Sequence, residues 1–298
     1  MIICIIGPTA SGKSKLAEKL SLFYNAKIVN FDAFQVYRGM DIGTAKPSKE
    51  ELESGRYFFY NIKNIDEDFD VSKYQILCRK FLKDHENENI IMVGGTGLYL
   101  KATLFDYKFE NDEKPMPTDY LSEYSNEELY NKLVLIDKED ALKIGVNNRK
   151  RLLRALYIYK IHGKSKSEIN SNGKNHLLFD NVHFIGLDCD REELYKNINK
   201  RVDEMIKNGL EQEVENLFTL YGRNRRALQA IGYKEFNNSL SLSEKIELIK
   251  KNTRNYAKRQ MTFFKHQFNN VKWFKSIDEA FKYGKTIRWQ NKTFDWWR

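Results

Sequence analysis

Gly7-Pro8-Thr9-Ala10-Ser11-Gly12-Lys13-Ser14 stands directly after the apolar run Met1–Ile6 and fits the spacing G-x-x-x-x-G-K-[ST]. A strand that ends in such a turn and re-enters as a helix brings successive backbone amides to one point. The helix starting near Gly12 adds the positive end of its dipole there, and Lys13 adds a full charge. Ser14 offers a hydroxyl to a magnesium ion shared with phosphate oxygens. The helical spacing of Leu16, Ala17, Leu20 and Phe23 favours strand–loop–helix over a chance glycine turn. The loop predicts a bound di- or triphosphate and leaves its fate open.

Outward from the loop, Ala26–Phe31 reads as a second strand ending at Asp32. A helix near Val71–His85 precedes the apolar run Ile90–Val93, which closes on Gly94-Gly95-Thr96-Gly97. Strands alternating with helices predict an α/β fold, a parallel sheet flanked by helices. In such a sheet ligands bind beyond the carboxyl ends of the strands. Gly7–Ser14, Asp32 and Gly94–Gly97 all fall at such ends.

From about Lys108 the texture changes, with Glu110-Asn111-Asp112-Glu113, Pro115 and Pro117 leading into short helical patterns. Asn148–Ile161 predicts a helix ended by Gly163, and the polar stretch Ser165–Asn175 follows. Val182–Leu187 reads again as a strand, with helices over Asn197–Gly209, Leu210–Leu220 and Ser243–Phe268. On the last of these, Lys251, Arg254, Lys258 and Lys265 share one face, while Ile249, Tyr256 and Phe263 share another that packs inward. The expected organisation is a core of residues 1–107 and 181–298 interrupted by a helical insertion, 108–180.

A hydrophobic share of 41% and a charged share of 31% over 298 residues describe a soluble globular chain. No run approaches the roughly 20 apolar residues of a membrane span. Met1 leads straight into the first strand, so no leader peptide is expected. Cys4, Cys78 and Cys189 form no zinc spacing and no disulfide framework, which suits a reducing cytoplasm. The net charge of +9 belongs entirely to residues 251–298, which hold 12 Lys or Arg against 3 acidic residues. The same segment holds all four tryptophans, Trp273, Trp289, Trp296 and Trp297. Such a mixture suits a polyanion with stackable bases, and equally a solvated basic tail whose aromatics pack on the core.

The run Ile90–Val93 ends in glycine, so the carboxylate with which a nucleotide hydrolase holds magnesium is missing there. Asp32, one strand over, is the well-placed acid. It could ligate magnesium through water, act as a base, or cap its own turn. The irregular segment Asp32–Pro47 is rich in hydrogen-bonding groups, as a substrate loop needs.

Together with Gly7–Ser14, that segment resembles the tRNA dimethylallyltransferases, the isopentenyl-transferring tRNA modification enzymes. The resemblance continues through Gly94–Tyr99, Lys150–Leu156, Arg201 with Met205, Gly209, Leu210, Glu213 and Val214, then Gln229–Lys234 and Thr253–Gln260. It implies a P-loop NTPase-like core with a helical insertion domain and a helical C-terminal region. It implies transfer of a five-carbon group from dimethylallyl diphosphate to N6 of the adenine just 3′ of the anticodon, in tRNAs reading codons that begin with U. By resemblance Asp32 is the base, Thr9, Lys13, Ser14 and Arg201 complete the catalytic set, and Ser14 holds Mg²⁺. Gly7, Pro8, Thr9, Ala10, Ser11, Gly12, Lys13 and Ser14 would cradle the diphosphate. The tRNA anticodon stem-loop would meet Asp32, Ala33, Phe34, Gln35, Thr96, Lys150, Arg151, Leu152, Leu153 and Arg154. Gln229, Ala230, Ile231, Gly232, Tyr233 and Lys234 would continue that path, with Arg254, Lys258 and Arg259 on phosphates. A monomer in the cytoplasm suffices for this architecture.

Two departures stand out. Ala33 replaces the Ser that many relatives carry beside the aspartate, and Lys108–Gly145 is shorter than the usual insertion. The rival readings are a small-molecule kinase of the phosphate-loop class, a noncatalytic RNA-binding protein, and a prenyltransferase acting on free adenine nucleotides.

Overall fold

Ile2–Ile6 forms β1 and is buried at every residue, without the alternation of a half-exposed strand, as a strand covered on both faces should be. The computed structural model describes residues 1–107, 109, 116–169 and 176–288, with Lys166 and Ile169 described by their backbone alone. After β1 come α1 (Lys13–Tyr24), β2 (Lys27–Asn30), α2 (Lys49–Glu53), β3 (Tyr57–Phe58), α3 (Val71–Asp84), β4 (Ile90–Val93) and α4 (Gly97–Leu104). A helical segment follows, and then β5 (Val182–Leu187), α9 (Arg191–Lys207), α10 (Leu210–Tyr221), α11 (Leu242–Gln267), β6 (Lys272–Phe274) and α12 (Ile277–Gly284). The helical segment holds α5 (Asn126–Ile136), α6 (Lys138–Ile144), α7 (Arg149–His162) and α8 (Lys166–Ile169). The chain divides into two compact units: Phe105–Leu178, and the remainder on either side of it.

The first unit is built on a sheet of order β3-β2-β4-β1-β5-β6, with every pair parallel. The chain leaves β1 for β2 on one side, yet β5 lies on the other. That reversal opens a crevice beyond the carboxyl end of β1, where the loop Gly7–Ser14 sits. Ile3 and Ile5 pack with Leu16 and Leu20 of α1, Ile28, Ile91 and Ile185. Full burial of such side chains stabilises by about 1.5–3 kcal/mol each, so this cluster anchors the loop from below. The Asp70 carboxylate accepts from Ser72 N and Lys73 N to start α3, which buries Tyr74, Cys78 and Leu82.

The structure corrects the sequence reading at two places in this unit. α9 starts at Arg191 rather than Asn197, because Asp190 caps it and Glu192 and Glu193 fill its first turn. The C-terminal region is not only helical. β6 adds a strand beside β5, and α12 packs on α1, with the Tyr24 hydroxyl donating to Gly284 O and Ile287 O at 2.7 and 2.8 Å. The Trp273 ring packs on Gly186 of β5, so this tryptophan serves the fold. Trp289, Trp296 and Trp297 lie outside the described residues, as do Glu110–Pro115 and the end of the Ser165–Asn175 stretch.

The second unit holds its own core of Leu129, Leu133, Ala141, Leu152, Ala155 and Leu156. A capping box of Ser125 and Glu128 opens α5, and Gly163 in the left-handed region closes α7. Arg149 donates to Tyr124 O at 2.6 Å and to Leu121 O and Ser122 O at 3.1 Å each, tying the start of α7 to the turn before α5. Among the described residues no helix is long and apolar enough to cross a membrane.

Candidate active site

The loop Gly7–Ser14 departs from β1 with Gly12 at φ 88, the left-handed conformation that a residue with a side chain adopts only under strain. That turn starts α1 and aims its first amides at the crevice. The Lys13 ammonium donates to Pro8 O at 2.6 Å and is only 8% exposed. Burial, and secondarily the charge of Arg201, holds Lys13 far below the usual lysine range, at about 7, while the Asp32 carboxylate pulls the other way. The Ser11 hydroxyl is buried with no partner in the structure, an unmet donor inside an anion cradle. Ser14 is exposed beside it. Among the described residues no group of three or more His, Cys, Asp or Glu could hold a metal ion. A hard cation at Ser14 would therefore share oxygens with a bound phosphate and with water, an arrangement that suits Mg²⁺.

Asp32 is held from three directions. Its backbone N–H donates to Asn30 Oδ1 at 2.9 Å, and Asn30 is itself fully buried between Phe59 O (3.0 Å) and the Tyr74 hydroxyl, which donates to Asn30 O at 2.8 Å. Asp32 Oδ1 accepts from Phe34 N at 2.9 Å and Gln35 N at 3.4 Å. Its Oδ2 lies against Gly95, where an added Cβ would sit 2.6 Å from that oxygen and 2.9 Å from Gln260 Nε2. Only glycine lets the three groups converge. Thr96 Oγ1 accepts from Ala33 N at 3.0 Å, so the position after Asp32 is fixed through its backbone and needs no hydroxyl of its own.

Two cavities meet at α9. One, of about 1050 Å³, is lined by Gly12, Lys13, Ser14, Ala45, Arg201 and Met205. The other, of about 300 Å³, is lined by Asp32, Phe34, Gln229, Ile231, Lys234 and Arg259 and shares Arg201 and Met205 with the first. Arg201 Nη1 donates to Thr9 Oγ1 at 3.4 Å, and burial lowers its basicity. The structure thus brings Thr9, Lys13, Ser14, Asp32 and Arg201 around one junction, with Gln229–Gly232 and Lys234 on the far wall.

Other expected contacts are placed elsewhere. Tyr233 is fully buried and donates to Glu213 Oε1 at 2.6 Å, so its side chain supports the fold instead of facing a ligand. Leu152 is fully buried in the second unit, with Leu153 packed on the same core, while Lys150, Arg151 and Arg154 are exposed on α7. Gln35 Nε2 donates to Thr44 O at 2.9 Å and to Ala45 O at 3.3 Å, bracing the loop it belongs to. Arg254 Nη1 donates to Asn199 Oδ1 at 2.7 Å, linking α11 to α9. Lys265 pairs with Asp188 at 3.0 Å, whereas Lys258 and Arg259 are exposed.

Sequence reasoning gave no role to Asn30 or Gln260. Gln260 accepts from Thr9 N at 2.8 Å and donates to Gly95 O at 2.9 Å, bridging the phosphate loop and the turn beneath Asp32. Its signal was available: Tyr256, Gln260, Phe263 and Phe264 follow the spacing of one helical face, and a polar residue on an inward face needs partners.

A family model described as IPP transferase matches residues 35–267 of the chain. Curated relatives named tRNA dimethylallyltransferase are 42% identical over 94% of the chain and 91% of the relative in Anoxybacillus flavithermus, and 41% over 93% and 91% in Bacillus anthracis. The crystal structure of a Staphylococcus epidermidis tRNA delta(2)-isopentenylpyrophosphate transferase superimposes with a TM-score of 0.69 at 35% identity, covering 96% of this chain and 97% of the other. A eukaryotic dimethylallyltransferase, described in crystallographic snapshots of its action on tRNA, gives 0.79 at 29% identity, covering 93% and 75%.

Proposed function

The chain belongs to the IPP transferase family, and from that premise we propose that it is a tRNA dimethylallyltransferase working at the junction of its two cavities. The donor is dimethylallyl diphosphate and the acceptor is N6 of the adenine just 3′ of the anticodon, in tRNAs reading codons that begin with U. The observation that carries this reading is the shared wall. Lys13 and Arg201 face one cavity as anion-binding groups, Asp32 stands in the other as a proton acceptor, and Arg201 belongs to both.

The adenine amine is a weak nucleophile because its lone pair is delocalised into the ring. As N6 attacks C1 of the dimethylallyl group, the C1–O bond breaks and its electron pair leaves on the diphosphate. The loop amides, Lys13 and Arg201 offset that growing charge, an effect worth several kcal/mol in sites of this kind. The N6 proton passes to Asp32 Oδ2, with Oδ1 kept in place by Phe34 N and Gln35 N. Ser14 Oγ would hold a magnesium ion together with diphosphate oxygens and water. When bound, that ion would take up part of the charge on the leaving group. The target base must leave its stack to reach Asp32, and the 300 Å³ cavity is large enough for one purine ring. Lys258 and Arg259 stand exposed for backbone phosphates, as do Lys150, Arg151 and Arg154 on their own unit. One copy carries both cavities, so this reading needs no second subunit, and it puts the protein in the cytoplasm with its tRNA.

The test is incubation of the purified protein with dimethylallyl diphosphate, Mg²⁺ and an unmodified anticodon stem-loop, followed by mass spectrometry of the nucleosides. A prenylated adenosine with release of diphosphate is expected. Its absence, with phosphoryl transfer from ATP to a nucleoside in a parallel incubation, would favour the kinase reading instead.

A further inference from the structure

Asp41-Ile42-Gly43 turns through the crevice with three consecutive backbone amides outside any helix or strand. All three point at one carboxylate. Asp41 N and Ile42 N donate to Glu213 Oε2 at 3.1 and 2.8 Å, and Gly43 N donates to Glu213 Oε1 at 3.1 Å. The Tyr233 hydroxyl donates to the same Oε1 at 2.6 Å, so a buried phenol fixes the carboxylate from behind. Four hydrogen bonds on one carboxylate leave it little freedom, and charge-assisted bonds to amides are the stronger kind.

The position of this clamp gives it a consequence for chemistry. Ile42 and Ala45 line the larger cavity, while Gly43 and Thr44 line the smaller one. Glu213 lies on α10, which follows α9 after Gly209, and α9 carries Arg201 and Met205 on the opposite wall of both cavities. The remaining ties of the loop are local: Gln35 to Thr44 O and Ala45 O, and the Lys46 ammonium to Asp41 Oδ1 at 2.7 Å and Asn61 Oδ1 at 2.5 Å. They hold the loop to itself and to its own end of the sheet. Glu213 alone among these side chains reaches it from the α9–α10 pair.

We infer that Glu213 is a positioning residue that sets the width of both cavities by pinning the 41–43 turn to the helix pair bearing Arg201. It touches neither substrate. The inference rests on the transferase reading for its catalytic half, and on geometry alone for its structural half.

The experiment compares the full-length wild type with Glu213→Gln, Glu213→Ala and Tyr233→Phe, by amide hydrogen exchange and by steady-state prenyl transfer, with thermal midpoints measured for each. A glutamine keeps the shape but turns one acceptor into a donor, so one side of the clamp opens. We expect faster exchange confined to the peptide spanning 41–43, and kcat/KM for the donor lower by about tenfold in Glu213→Gln and about a hundredfold in Glu213→Ala, the scale for misplacement by about 1 Å. Tyr233→Phe should fall between wild type and Glu213→Gln. Unchanged exchange at 41–43 in Glu213→Gln overturns the clamp, and faster exchange with unchanged kcat/KM overturns its role in positioning. If Glu213→Ala does not fold, Glu213→Gln and Tyr233→Phe still decide the matter. A wild type that transfers no prenyl group, while the exchange difference appears as expected, overturns the reaction and leaves the clamp standing.

Discussion

The two cavities beside Arg201 are built on opposite principles. The larger is walled by a loop whose binding groups are backbone amides and cations, so its chemistry is written into eight consecutive residues. The smaller is assembled from α9, α11, the 229–234 segment and the loop after β2, with Asp32 as its carboxylate. A local site can be read off a string because its parts are neighbours in the chain. An assembled site depends on packing, and its critical groups are spread over most of the first unit. The difference also separates the roles: one cavity gathers positive charge to hold and release an anion, the other excludes water around a proton acceptor.

The comparison can be broken most severely at Asp32. Replacing it by alanine should lower turnover by about 10²–10⁴-fold while leaving diphosphate affinity within about twofold, because the base belongs to the second cavity alone. Equal losses of turnover and diphosphate affinity would show that the cavities are not separable. Lys13→Ala should lower kcat/KM for the donor by about 10²–10³-fold and leave stem-loop affinity unchanged, measured by filter binding in parallel with kinetics. Arg201→Ala, on the shared wall, should affect both.

A pH series sharpens the same contrast. In the free protein Lys13 loses its proton near pH 7, because burial and Arg201 depress its pKa to about 7. Diphosphate binds the protonated form, so its affinity should be full below that pH and fall as the pH rises through it, by up to about tenfold per unit. Lys13→Ala should flatten the profile, which calorimetric titration of inorganic diphosphate would show. A profile that rises with pH would contradict the assignment. The smallest effect concerns the exposed cations. Lys258→Ala should weaken stem-loop binding uniformly across sequences and reduce the slope of log affinity against log salt by about 1.

Much of the fold was legible before any coordinates. Met1–Ile6, Ile90–Val93 and Val182–Leu187 stand as strands, and Lys13, Val71, Asn148 and Leu210 lie at or beside helix starts, because apolar runs and caps are local signals. β6 was not legible: Lys272–Phe274 is three residues long and half exposed, and only β5 beside it makes it a strand. The basic C-terminal stretch was open between RNA contact and fold, and its described part divides accordingly. Trp273 packs on β5 and Lys265 pairs with Asp188, while Lys258 and Arg259 face outward.

Chain order alone determined the phosphate loop, the carboxylate at the end of the second strand and the glycine turn after Ile90–Val93, since each is a short-range pattern at a strand terminus. Tertiary structure decided which polar residues hold those parts in register: Asn30 behind Asp32, Gln260 between Thr9 and Gly95, and Glu213 on the 41–43 turn. The reason lies in the range of the interactions. A buried amide or carboxylate acquires its function only from the backbone groups that distant segments bring to it, and those partners are not neighbours in the string.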